Sequence, residues 1–244
     1  MAVRYNPKIV TDGLVVFYDF KNTKCYPGSG TAVSDLIMNK SGTMEGTCSF
    51  QSGAMDFTGP SDNTRLTISP TSSDPDPDLS FIDGTNDMSI SIWFNADAFA
   101  PATNSTNAPI PLTLYGNQKR NFMTFGDGGP ADQLHFRGQW ATSGWNSPVS
   151  SSTLTLNTWH NFVVAYSATT GYIAYTDAVV SDTNSMTEAN QANTSSAANA
   201  IGGPPDSWNR SFNGQIAMVS FYNKQLSASE VIQNYNALKG RFGL

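Results

Sequence analysis

Apolar residues in this chain recur at every second position, in runs too short and too often interrupted for helices. In "MSISIWFNAD", Met88, Ile90, Ile92 and Phe94 fall on one face, while Ser89, Ser91 and Trp93 fall on the other. A period of two belongs to a pleated strand, whose successive side chains point to opposite faces. "HNFVVAYS" repeats it with Phe162, Val164 and Tyr166, and the turn "ATTG" then leads into "GYIAYTDAVV", which predicts a hairpin. Further strands are expected in "GLVVFYDF", "AMDFTG", "RLTISP", "IPLTLYG", "NFMTFG", "QLHFRG" and "GQIAMVSFYN". In the last, Ile216 and Met218 alternate with Ala217, Val219 and Phe221. Both of its faces are apolar, so it belongs at the centre of a stack, covered on two sides.

Between these runs, "SPTSSDPDPDLSFIDGTND", "NADAFAPATNSTNAPIP", "RGQWATSGWNSPVSSST" and "SDTNSMTEANQANTSSAAN" read as loops. Many short strands joined by such loops predict an all-β, two-sheet antiparallel jelly-roll sandwich. No composition shift or internal repeat divides it, so the expected organisation is an N-terminal extension over residues 1–12 and one sandwich over residues 13–244. One helix signal stands near the end. "LSASEV" is a capping box in which Ser227 and Glu230 bond each other's amides, with Leu226 and Val231 as a hydrophobic staple. Val231, Tyr235 and Leu238 then share a stripe, and Gly240 stands where a left-handed C-terminal residue is expected. Three turns of helix are not stable alone, so the stripe must lie on the sandwich.

Charge excludes several functions. Charged residues are 13% of the chain, against about 25% in an average protein, and the formal net charge is −6. Nucleic acid is therefore an unsuitable partner. No apolar run reaches ~20 residues, so membrane insertion is not expected, and "MAVRYNPKIVTDG" lacks the apolar core of a signal peptide. Cys25 and Cys48 have no zinc spacing and read as two buried thiols, with a disulfide between them as the alternative.

"FNGQIAMVSFYNKQLSASEV" resembles the closing motif of laminin-G-like and pentraxin-like domains of the concanavalin A-like lectin/glucanase superfamily. "AMDFTG", "MSISIWFNAD" and "TWHNFVVAYSATTGYIAYTDAVV" resemble three further segments of that family, in the right order. The ends, "GLVVFYDFKNTKCYPGSG" and "VIQNYNALKGRFGL", look like versions of the domain carried by structural proteins of tailed bacteriophages. That resemblance implies a virion protein assembled in the host cytoplasm. Its expected partners are other virion proteins or copies of itself, as a homo-oligomer or particle-bound chain, with cell-surface polysaccharide as a second ligand. "MAVRYNPKIV" is then a candidate docking arm.

The chemistry favours binding over bond breaking. Glycosidases need two carboxylates flanking the scissile bond. The chain has three glutamates: Glu45 and Glu188 in expected loops, and Glu230 in the capping box. His160 follows Trp159 and reads as structural; His135 alternates with Leu134 and Phe136 and is expected to face solvent. No catalytic residue and no cofactor is assigned. The family's calcium site would fall on "IGGPPDSWNRSFNG" and "GNQKRNF", where Asp206 and Asn121 match but Pro204, Pro205 and Arg120 do not, so the resemblance implies a lost site. "SDPDPD", residues 73–78, reads as a solvated acidic loop rather than a calcium loop. Sugar binding needs partly exposed aromatics beside polar groups. Trp140, Trp145 and Trp208, with Asp206 and Asn209, are the candidates; the alternative is that each indole pins its loop to the sandwich. The expected function is a non-catalytic virion protein that can bind glycans, with a free lectin-like module or a glycoside hydrolase of the same fold as alternatives.

Overall fold

The computed structural model describes residues 8–38, 41–58, 64–68, 86–99, 108–116, 119–127, 129–140, 143–188, 199–204 and 210–244. In chain order the strands are β1 (Leu14–Asp19), β2 (Ala32–Ser34), β3 (Ser41–Glu45), β4 (Ser49–Gln51), β5 (Ala54–Thr58) and β6 (Arg65–Thr67). There follow β7 (Met88–Ala96), β8 (Leu112–Gly116), β9 (Lys119–Phe125), β10 (Leu134–Trp140) and β11 (Gly144–Ser150). The last are β12 (Trp159–Ser167), β13 (Gly171–Thr176), β14 (Val179–Asn184), β15 (Ala200–Ile201) and β16 (Asn213–Tyr222), before one α-helix, α1 (Ala228–Leu238). They make two antiparallel sheets. The first runs β14-β13-β12-β7-β16-β5-β4, with β1 paired to the second half of β16; the other runs β11-β10-β9-β8-β15-β6-β3-β2.

The inner faces carry the alternating residues. Ile90, Ile92, Phe94, Phe162, Val164 and Phe221 from the first sheet share a core with Leu112, Leu114, Met123, Phe125, Leu134 and Phe136 from the second. In β16 the alternation changes hand. Ile216 faces Phe94 but Met218 faces Trp93, so Ala217 is an extra residue in the ladder. This bulge sends Met218 to the outer face with Ala54, Trp93 and Ala217, not to the row of Ile216 as the alternation predicts.

That apolar outer face is roofed by the C-terminal segment. Ser227 Oγ accepts the Glu230 amide at 3.3 Å and Glu230 Oε2 accepts the Ser227 amide at 2.9 Å, forming the expected capping box. Leu226 and Val231, both buried, pack with Val163, Tyr175 and Tyr222. Tyr235 stacks on Trp93 at 5.4 Å. Gly240 does not take the left-handed conformation; the helix passes into a 3-10 turn over Lys239–Arg241, and Gly243 is the residue with φ of 76°. The turn carries Phe242 onto Trp93 and Trp159, at 4.5 and 4.6 Å between ring centroids, and sets Arg241 on Asp19 through two bonds of 2.9 Å.

Other local expectations are refined. "GYIAYTDAVV" is two strands, because Asp177 and Ala178 (φ 53° and 65°) form a two-residue turn between β13 and β14. Glu45 ends β3, where it bonds Arg65 and Thr67 rather than lying in a loop. The extension is tied down from residue 8: Asn234 Oδ1 accepts the Val10 amide at 2.7 Å, and Gln233 donates to the Lys8 carbonyl at 2.8 Å. Cys25 and Cys48 are free thiols, pushed by burial to pKa values of about 12 and about 11, so neither is a reactive thiolate near neutral pH.

Removing the box with the double change Ser227→Ala, Glu230→Ala should cost on the order of 1–2 kcal/mol, read from denaturant midpoints. Phe242→Ala should cost on the order of 1–3 kcal/mol by stripping two ring contacts from Trp93 and Trp159. Unchanged midpoints would show that the roof is not part of the cooperative fold.

Candidate functional site

The outer face of the second sheet carries an aromatic and charged cluster on β9, β10 and β11. Met123 and Phe136 point into the core, so their neighbours Phe122 and Arg137, paired across β9 and β10, point outward. Trp145 lies opposite Gln139 on β11. Between them the ladder is broken: Phe136 faces Val149 while Gly138 faces Asn146, leaving Ser147 and Pro148 against Arg137. Proline has no amide hydrogen to give a ladder and is tolerated at such bulges.

The result is a braced tryptophan. Trp145 remains 44% exposed, with Phe122 at 5.9 Å and the Arg137 guanidinium carbon 5.8 Å from its ring centroid. Arg137 is held by Asp127 Oδ1 at 3.3 Å and donates to Ser147 Oγ at 3.4 Å. Asp127 also accepts Arg210 Nη2 at 2.8 Å. Arg210 in turn donates to the Ala108 carbonyl at 2.8 Å and to Thr124 Oγ1 at 3.3 Å, and lies over the Phe122 ring at 5.6 Å. Asp127 and Arg210 are both buried. A buried charge stripped of its partner costs several kcal/mol, so this network fixes the positions of Arg137 and the rings above it.

Such a face can hold a flat, partly apolar, hydroxylated molecule. Aromatic rings offer an apolar plane, and the guanidinium and hydroxyl groups at its margin supply directed hydrogen bonds. The three glutamates are employed elsewhere. Glu45 bonds Arg65 and Thr67, Glu188 accepts the Ser143 amide at 3.0 Å, and Glu230 caps the helix. Burial, and then the charge of Asp97, raise the Asp56 carboxyl above its usual range, but Asp56 stands on the first sheet.

The histidines are bound into the fold. His160 Nδ1 lies 2.8 Å from Asp177 Oδ2, and Nε2 accepts the Thr155 amide at 3.2 Å, so both ring nitrogens are engaged within the fold. His135 points away from the core, yet it is only 4% exposed and not solvent-facing as expected. Gly129 packs against its ring and the Pro130 carbonyl lies 3.2 Å from Nε2.

Of the sequence-derived candidates, Trp145 is in the cluster, although on a strand and not in a loop. Trp140 is corrected: it ends β10, is 1% exposed, and packs against Phe136 and Tyr172 inside the sandwich, where no saccharide can reach it. Trp208, Asp206 and Asn209, the acidic run at 73–78, and the side chains of Arg120 and Asn121 lie outside the described residues. Phe122, Asp127, Arg137 and Arg210 were not singled out from the sequence. The alternation in "QLHFRG" puts Arg137 on the outward face, but its meeting with "GWNSPV" depends on a hairpin that the sequence presents as a loop. Among the described residues, no three His, Cys, Asp or Glu side chains gather as a metal site.

Comparison with known proteins agrees with this architecture. The family model of the concanavalin A-like lectin/glucanases superfamily matches residues 51–232, and the chain belongs to that superfamily. Domain 4 of AbnA, a GH43 extracellular arabinanase from Geobacillus stearothermophilus solved with arabinotriose, has a TM-score of 0.63 at 16% identity. That alignment covers 91% of this chain and 98% of the domain. Trypanosoma rangeli sialidase, solved as a covalent intermediate with 2,3-difluorosialic acid, has a TM-score of 0.68 at 14% identity, covering 96% of this chain and 34% of the sialidase. The binding domain of botulinum neurotoxin DC, solved with rat synaptotagmin II, has a TM-score of 0.65 at 10% identity, covering 93% of this chain and 52% of the other. The chain thus spans about a third of the sialidase and half of the toxin chain, and at these identities the likeness is one of fold. No curated protein matches it.

Burial lowers the His135 pKa from 6.5, and the nearby Arg137 adds to that shift, against opposing effects of Pro130, Asp127 and Asp182. The unfolded chain therefore takes up a proton at a pH where the folded chain does not. Stability from this site is complete above about pH 6.5 and is lost as pH falls towards the lower folded value. The melting temperature should fall as pH drops below about 6.5, and fall less in His135→Asn. Glu230, lowered chiefly by Lys224, loses its contribution only below its ordinary value of 4.5, which separates the two effects.

Proposed function

We propose that this member of the concanavalin A-like lectin/glucanase superfamily is a non-catalytic glycan-binding module of a tailed-phage virion protein. Trp145, Arg137 and Ser147 form its contact surface, and Phe122, Asp127 and Arg210 hold that surface rigid. One observation carries the binding reading: a tryptophan left 44% exposed on a strand, braced by a ring, a guanidinium and an ion-paired carboxylate. An indole offered to water in a fixed position loses little conformational entropy when a sugar covers it, so the burial of its apolar face is retained as affinity. The solved arabinanase domain of similar fold, captured with arabinotriose, supports the same ligand class.

A role without catalysis is supported by the commitments of the three glutamates, and the reading requires no metal. The virion setting rests on the resemblance of the two ends of the chain to phage structural domains, and on a surface low in charge. There the module would be held by other virion proteins or by copies of itself, and would meet polysaccharide on the host surface.

Trp145→Ala should lose glycan-array signals about tenfold or more while keeping its circular dichroism and melting temperature. Array binding equal to that of the native chain would remove Trp145 from the site. Incubation of native protein with the glycans it binds should release no reducing ends, and its melting temperature should be the same with calcium as with chelator. Mass spectrometry of purified virions should find the chain as a particle component.

A further inference from the structure

We infer that the site selects acidic saccharides, and that Arg137 is the residue that reads the sugar carboxylate. The inference rests on the glycan-binding reading and names its ligand class. Among the described residues, Arg137 is a cation that stands over the Trp145 ring, with its guanidinium carbon 5.8 Å from the ring centroid and its side chain 21% exposed. A guanidinium carries five N–H donors in a planar fork. Two of its nitrogens are engaged, Nε by Asp127 and Nη1 by Ser147, so both hydrogens of Nη2 have no partner among the described residues.

The engaged nitrogens matter as much as the open one. Asp127 and Ser147 grip opposite parts of the fork, and the bulge at Ser147 and Pro148 is what brings that hydroxyl within reach. The guanidinium is thereby oriented before any ligand arrives, which reduces the rotamer entropy lost on binding. A saccharide packed against the exposed part of Trp145 would lie at the margin of the guanidinium, where Nη2 can meet a ring substituent. A neutral hydroxyl there accepts a hydrogen bond from the cation. A carboxylate accepts that bond with an opposite charge behind it, which shortens and strengthens it.

The surroundings sharpen this. The chain as a whole carries a formal charge of −6, so long-range attraction does not draw acidic polymers to it. Selectivity must come from contact at Arg137 itself. It should therefore weaken with salt less steeply than binding to a broad cationic patch.

The test uses oligogalacturonate, oligomannuronate and oligoglucuronate, together with the same chains after carboxyl reduction. These pairs keep length and linkage and differ only in the charged group. Native protein should bind at least one acidic chain about tenfold more tightly than its reduced partner, equivalent to ~1.4 kcal/mol. Arg137→Gln should erase that ratio, and Arg137→Lys should keep part of it. Melting curves of both variants should show the fold intact, because Asp127 retains Arg210. Equal binding of the acidic and reduced chains by native protein, with Trp145→Ala still impaired, would overturn the inference and leave the glycan-binding reading standing. If no glycan on a broad array binds, or Trp145→Ala binds as native protein does, both fall together.

Discussion

The structure depends on keeping water from both faces of β7 and β16. One face of each is covered by the other sheet, as in any sandwich. The other face carries Trp93, Ala217 and Met218, an apolar area that a two-layer fold leaves exposed. Tyr235 and Phe242 close it by stacking on Trp93. The capping box, the Arg241–Asp19 pair and the Val10–Asn234 bond all serve to hold that roof in register. The helix is therefore a third layer over one sheet, which leaves the outer face of the opposite sheet to carry the aromatic and charged cluster.

That opposite face is organised by polar contacts. Its centre is the buried Asp127 carboxylate, which holds Arg137 and Arg210 on two of its sides. The arrangement costs desolvation that an apolar cluster would avoid, and its return is positional: Phe122 and Trp145 are fixed by guanidinium groups that cannot drift. A site built on strands and braced from beneath can present an indole to solvent without that ring collapsing onto the sheet.

Much of the fold was legible because it follows a period of two and an explicit capping signal. Met88, Ile90, Ile92 and Phe94 share one face as their spacing dictates, and Ser227 with Glu230 forms the helix start. The misreadings occur where the backbone departs from regular geometry. Met218 changed faces at a bulge that no residue in "GQIAMVSFYN" announces. The turn at Asp177 and Ala178 takes positive φ without the glycine that usually marks it. The hairpin of β10 and β11 was obscured by Ser, Gly and Pro residues that serve a bulge as readily as a loop, and with it went Arg137 and the burial of Trp140. Trp145 was found because an indole among polar neighbours is conspicuous in any local conformation. Its partners come from three other segments and could be joined to it only in space.

The place of β16 has a consequence for how the chain comes off the ribosome. It is the last strand of this sandwich in chain order, yet it sits in the middle of its sheet, hydrogen-bonded to β7 on one side and to β5 and β1 on the other. Until it emerges, those three strands have open edges and the sheet has a gap at its centre. Contacts that span more than two hundred residues, such as Val10 with Asn234 and Asp19 with Arg241, must wait equally long. Closure of this sandwich thus waits for its last strand, and until then the open edges of its sheet can pair with neighbouring chains.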